Sequence, residues 1–247
     1  MGTDAPEEPM PERPKRPAAS LPLEEAARRL GARWDATARQ AARRLPLRFP
    51  AGYPDLADPS DPQDPIRAIA WPHPEELEAD PEAIEDPVGE GDRSPHPLLV
   101  RKHPDRVILI TTKRCHFYCR FCFRAGSHPE PRWADLDGAV RALEGDAALE
   151  EVILSGGDPL TLPDARLGAL LARLAELKGL RSVRIHTRAP VHAPERITDE
   201  LAGVLSSSSR LPVWVVIHAT PPRELRPECD AAGARAPIDP TRQDAAQ

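Results

Sequence analysis

The sequence predicts an α/β fold, part of a parallel (β/α) barrel preceded by a helical and proline-rich arm. Two observations point to the barrel. RVILIT (106–111) and EVILSGG (151–157) are short continuous apolar runs, as expected of strands covered on both faces, and SVRIHTR (182–188) and VWVVIH (213–218) read as a third and fourth strand. Leucines at helical spacing separate these runs, and strand–helix alternation at that rhythm implies parallel βαβ units with right-handed crossovers. A third observation sets off the arm: 18 of the 31 prolines lie in the first hundred residues, where repeated X-Pro bonds disfavour helix.

Residues 1–19 are poor in apolar side chains and are expected to be disordered. Ser20 is a helix cap by residue type, and LPLEEAARRLGARWDATARQAARRL (21–45) is rich in Ala, Leu, Arg and Glu, which favour helix. From 46 to 104, DPSDPQDPI, WPHPEEL and DPVGEGDRSPHP predict extended chain with short helical turns. Residues 20–104 therefore form a wrapping arm, which needs a folded body to lie against. That body is expected over 105–225. WADLDGAVRALE (133–144) puts Leu136, Val140 and Leu143 on one stripe, and 164–178 aligns Leu167, Leu170, Leu171, Leu174 and Leu177 ahead of a stop at Gly179. A short helix is expected near 198–206, and 226–247 reads as an irregular, disordered tail.

Strand parity adds chemistry. In SVRIHTR, Val183, Ile185 and Thr187 alternate with Arg184, His186 and Arg188. A polar row on one face of a parallel strand suggests a solvated barrel interior, with a site at the carboxyl ends of the strands. His218 ends the fourth strand under the same logic.

Composition narrows the function. With 40% hydrophobic residues, only 4% aromatic and a mean hydropathy of -0.48, the 247-residue chain has an aliphatic core of modest size. A net charge of -6 argues against broad nucleic-acid binding. No apolar run approaches the roughly 20 residues that span a bilayer, and MGTDAPEEPMPERPKRP lacks a secretory apolar segment, so a cytoplasmic protein is expected. In that setting clustered cysteines suggest metal or cluster binding instead of disulfides.

Three of the four cysteines, Cys115, Cys119 and Cys122, lie within TTKRCHFYCRFCFRAG (111–126), spaced C-x3-C-x2-C. Thiolates select zinc, copper(I) or iron–sulfur clusters. A zinc site, the basis of an interaction module, needs a fourth ligand from His116, His128 or the distant Cys229, and His116 adjoins Cys115 awkwardly. A four-iron cluster normally takes one thiolate per iron. Three would leave one iron open to a substrate or cofactor.

At this motif, with Phe121 just before the third cysteine, the sequence resembles the radical S-adenosylmethionine superfamily. DPVGEGDRSPHPLLVRKHPDRVILITTKRCHFYCRFCFRAG, EVILSGGDPLTL, RIHTRAPVHAPERIT and VVIHATPPREL further resemble the lysine 2,3-aminomutase family, including its branch acting on a lysine of elongation factor P. The resemblance runs from about Leu45 to Leu225. It implies that Cys115, Cys119 and Cys122 hold a [4Fe–4S] cluster whose open iron is chelated by S-adenosylmethionine. It implies that Arg124 grips the substrate carboxylate, and that Ser155, Gly156, Gly157 and Asp158 of SGGDPL bind S-adenosylmethionine, with Asp158 accepting from its ammonium group. Phe121, His186, Arg188 and His218 would face the cofactors.

By the same resemblance the reaction is a 1,2-amino migration converting L-lysine to β-lysine, with pyridoxal phosphate and a reducing electron donor. The sequence departs from the family in two respects. The family barrel has six strands and four are legible here, and none of Lys15, Lys102, Lys113 and Lys178 lies in the glycine-rich segment that holds pyridoxal phosphate. The chain therefore reads as a truncated aminomutase or, alternatively, as a cluster- and S-adenosylmethionine-binding fragment without turnover. Its exposed edge and extended arm point to association with a second copy.

Overall fold

The computed structural model describes residues 20–78, 82, 84, 86–90, 96–124, 130–207 and 210–235, so the expectations for 1–19, for 236–247 and for His128 lie outside the described residues. The arm opens with α1 (Leu23–Arg29) and α2 (Ala36–Arg44), two helices where one segment was expected. Asp35 starts the second by accepting from the Ala38 amide. Ser20 does not cap a helix: Pro22 stands at that position, and the Ser20 hydroxyl instead accepts from the Phe49 amide at 3.3 Å, tying the arm to itself. α3 (Pro65–Ala70) follows, with the buried Asp64 accepting from the Ile66 and Arg67 amides.

Five strands then make one sheet in the order β1-β2-β3-β4-β5. β1 (Leu99–Val100) was not legible; two residues show no alternation, and it forms because Leu99 and Val100 pair antiparallel with Leu109 and Ile108. β2 (Arg106–Thr112), β3 (Glu151–Gly156), β4 (Ser182–Thr187) and β5 (Val213–Ile217) are the four expected strands, and neighbours run parallel. The sheet does not close: among the described residues no strand pairs with the outer edge of β5. The architecture is a mixed α/β fold with an open sheet, as a partial barrel requires.

The crossovers carry α4 (Trp133–Arg141), α5 (Asp164–Ala175), α6 (Ala189–His192) and α7 (Asp199–Leu205). The predicted leucine stripes of α4 and α5 pack with Leu201 and Leu205 of α7 against Val107, Leu109, Val152, Leu154, Val183, Ile185, Val213 and Val215, all on one sheet face. The other face carries Ile153 and Ser155, Arg184 and His186, and the exposed Trp214 and Val216. The polar row of β4 thus lies on the face away from the helices. Pro227–Arg235, expected to be irregular, forms α8, whose Cys229 and Ala232 are buried. A small amphipathic helix needs a partner surface, and α6 supplies it.

The two sheet faces respond differently to one chemical change. Val183→Thr, fully buried under the helices, is expected to lower the unfolding free energy by roughly 1–3 kcal/mol. Val216→Thr, 41% exposed on the opposite face, should stay within about 0.5 kcal/mol of the parent. Urea denaturation of both variants measures the difference.

Candidate active site

The loop leaving β2 carries all three cysteines, and the arm holds it down. Phe117 packs 4.5 Å from the Tyr53 ring, 6.0 Å from Phe49 and 4.4 Å from the His192 imidazole. Arg120 ion-pairs with Glu76 and donates to the Leu45 carbonyl at 3.0 Å, while its amide donates to the Ile69 carbonyl. Arg48 reaches the Cys115 carbonyl at 3.4 Å. The wrapping arm therefore finds its folded partner in the cysteine loop. Cys115 and Cys122 line a cavity of about 460 Å3 together with Thr112, Gly156, Gly157 and Arg124.

SGGDPL serves that loop directly. Gly156 has φ +111°, and a Cβ on Gly157 would lie 2.3 Å from the Arg114 carbonyl oxygen. The Gly157 and Asp158 amides donate to the Thr112 and Arg114 carbonyls at 2.6 and 2.7 Å. What the glycines let in is the backbone of the cysteine loop, although both also line the cavity. Asp158, expected to accept from a ligand's ammonium group, also has partners within the protein. Its buried carboxylate already accepts from the Thr187 hydroxyl (2.7 and 2.9 Å), the Arg188 amide (2.9 Å) and the Leu160 amide (3.0 Å), joining the end of β3 to the end of β4.

Arg124 reaches the sheet's open face, where it donates to the Ser155 hydroxyl at 3.0 Å, but its carboxylate partner is internal. It forms a fork with the buried Glu90, one arm at 3.0 Å. His186 stands on the same face; the crowding of that wall and the charges of Arg184 and Arg124 push its imidazole down to about 4. Arg188, Phe121 and His218 come together: the guanidinium lies 5.6 Å from the Phe121 ring, that ring lies 6.0 Å from His218, and Arg188 Nε donates to the His218 carbonyl at 3.2 Å. Partial burial and then Arg188 lower the His218 imidazole.

A family model described as "Radical SAM superfamily" matches residues 109–209, the span from β2 through α7 and just beyond it. The chain is 36% identical over 197 residues to "L-lysine 2,3-aminomutase" of Clostridium subterminale, which covers 78% of this chain and 47% of the relative. Over residues 109–209 the chain is similar to the radical SAM superfamily. It is also similar to "L-lysine 2,3-aminomutase" of Bacillus subtilis (34%; 77% of this chain, 41% of the relative) and to "Glutamate 2,3-aminomutase" of Clostridioides difficile (34%; 73% and 43%). The chain spans about half the length of the curated relatives it matches.

The superfamily implies a [4Fe–4S] cluster and S-adenosylmethionine, and the donor set fits the cluster. His116 Nε2 turns to the Leu160 carbonyl at 3.4 Å, and the Cys229 thiol donates to the Pro190 and Glu224 carbonyls. Neither supplies a fourth ligand, and among the described residues no three His, Cys, Asp or Glu side chains converge on one ion. That is unsuited to closed tetrahedral zinc, whereas the thiolates of a cubane bind separate irons. Burial, with neighbouring Asp158 and the other two cysteines, pushes the Cys115 thiol far up; burial, eased by Arg188, pushes Cys119 up to about 11. Bound iron would replace those protons.

Pyridoxal phosphate does not fit the described residues in the same way. Lys102 donates to the Val88 carbonyl, Lys178 is exposed after α5, and Lys113 lines the cavity from a stretch without glycine. Sequence reasoning missed Glu90, Glu130, which accepts from the Lys113 amide at 2.7 Å, and the buried Glu224. Isolated acidic residues in irregular segments carry no pattern; only Arg124 and Arg188, each in want of a counter-charge once buried, signalled that anions were needed.

Two outcomes follow from this site. Gly157→Ala is expected to melt well below the parent, because the added carbon meets fixed backbone. Gly203→Ala in α7, where a Cβ meets nothing within 4 Å, should gain up to about 1 kcal/mol; thermal unfolding compares them. In acid, the unfolded chain takes up a proton near the ordinary histidine value of 6.5, whereas folded His186 refuses it until about 4 and buried His192 lies well below 6.5 as well. Stability present above pH 6.5 is therefore lost as pH falls toward 4. His186→Gln should reduce that slope in urea midpoints measured across the range.

Proposed function

We propose that this chain is the cluster-bearing part of a radical S-adenosylmethionine aminomutase that acts on lysine or a similar amino acid. One observation carries the reading: the loop at the carboxyl end of an open α/β sheet carries three thiols with no fourth protein ligand among the described residues, and two of them line the cavity that Arg124 also lines. Cys115, Cys119 and Cys122 would hold the [4Fe–4S] cluster. When bound, it supplies the electron that splits the sulfonium of S-adenosylmethionine and so makes a hydrogen-abstracting radical. The chain's own contribution is positional. Phe117, Arg120 and Arg48 fix the loop, and Gly156 and Gly157 bring β3 beneath it.

Arg124 is suited to orient an amino-acid carboxylate, since a guanidinium binds one as a fork. Glu90 occupies that fork in the absence of substrate, so binding entails an exchange of carboxylates. No step is assigned to pyridoxal phosphate. A second reading, a cluster- and S-adenosylmethionine-binding unit without aminomutase turnover, is favoured by the open edge of β5, which leaves Trp214 and Val216 exposed on the site's face.

Anaerobic reconstitution tests the first claim. About four irons with matching sulfide per chain, and 5'-deoxyadenosine formed from S-adenosylmethionine under a low-potential reductant, are expected; stoichiometric zinc without sulfide would refute it. Adding lysine and pyridoxal phosphate and assaying β-lysine separates the two readings. Glu90→Gln removes the internal competitor, and lysine binding measured by calorimetry should tighten relative to the parent.

A further inference from the structure

We propose that Arg188 is a positioning residue which tunes the electron affinity of the cluster through Cys119. The inference rests on the cluster reading above and concerns a contact that reading does not use. Arg188 Nη1 donates to the Cys119 sulfur at 2.7 Å. Its other arm, Nη2, is gripped by both oxygens of Glu224 at 2.6 and 2.7 Å. Glu224 is completely buried and held in turn by the Tyr53 hydroxyl and, at 2.7 Å, by the Thr220 amide. Nε and Nη2 also reach the His218 and Thr220 carbonyls. The fork is thus held on three sides, and the fourth points at the thiol.

The arrangement has a direction. The cation touches the sulfur, and the compensating anion sits behind it on the far edge of the guanidinium. A donor and a positive charge at a cluster thiolate stabilise the extra electron of the reduced state and raise the reduction potential. Among the described residues no side-chain cation donates a hydrogen bond to the Cys115 or Cys122 sulfur, so the bias falls on one corner of the cluster. The rigid planar fork suits the task, since a lysine could not hold Glu224 and Cys119 at once.

The test compares the parent with Arg188→Met/Glu224→Gln after anaerobic reconstitution. The double substitution removes both charges and leaves neither buried alone, which keeps folding in reach should Arg188→Met by itself fail to fold. Iron and sulfide are counted first, and the midpoint potential is then read by EPR-monitored redox titration. The expected result is unchanged stoichiometry with a midpoint shifted to more negative potential. Equal midpoints would overturn the proposal, and so would loss of the cluster in the variant alone, which would make Arg188 a structural clamp. Failure of the parent itself to take up iron and sulfide counts against the cluster reading instead.

Discussion

The fully buried Glu224 carboxylate is the constraint around which the site is arranged. A carboxylate in such a place must be paired and hydrogen-bonded, and losing one partner of a buried pair typically costs about 3–5 kcal/mol. Its partners come from three distant parts of the chain: Arg188 at the end of β4, Tyr53 in the arm and the Thr220 amide after β5. Burial and then Glu224 raise the Tyr53 phenol far above its ordinary value, so it stays a donor. One anion thereby obliges arm, sheet and cysteine loop to meet.

Around that anion the division of labour is clear. Backbone places the thiols: the glycine turn of β3 passes so close under the cysteine loop that no side chain fits between them. Aromatic packing holds the loop from the other side, with Phe117 among Phe49, Tyr53 and His192. The open face carries further charge, with Arg124 lining the cavity, Glu90 paired to it, and Arg184 and His186 on β4. Asp158 adds to the rigid part by joining the end of β3 to the end of β4.

Much of the framework was legible because it follows from local periodicity. RVILIT and EVILSGG read as strands on their apolar continuity alone, and the leucines of α4 and α5 on their spacing. The cysteine triplet read as a ligand set on spacing and on the want of a fourth partner. β1 and α8 were not legible. Two residues of strand and one short amphipathic helix have no signal until a neighbour gives them a surface to cover.

The sequence by itself determined the order of strands and helices and the residue types offered to a metal, since these depend on neighbours a few positions apart. Only the tertiary structure decided which carboxylate meets which arginine, that Glu90 faces Arg124 and Glu224 faces Arg188, and that SGG yields to a loop before it yields to a ligand. The two ion pairs join residues 34 and 36 positions apart. Separations of that size leave no trace in local pattern, because the energy that selects them is desolvation, and it exists only once the chain has folded around the charge.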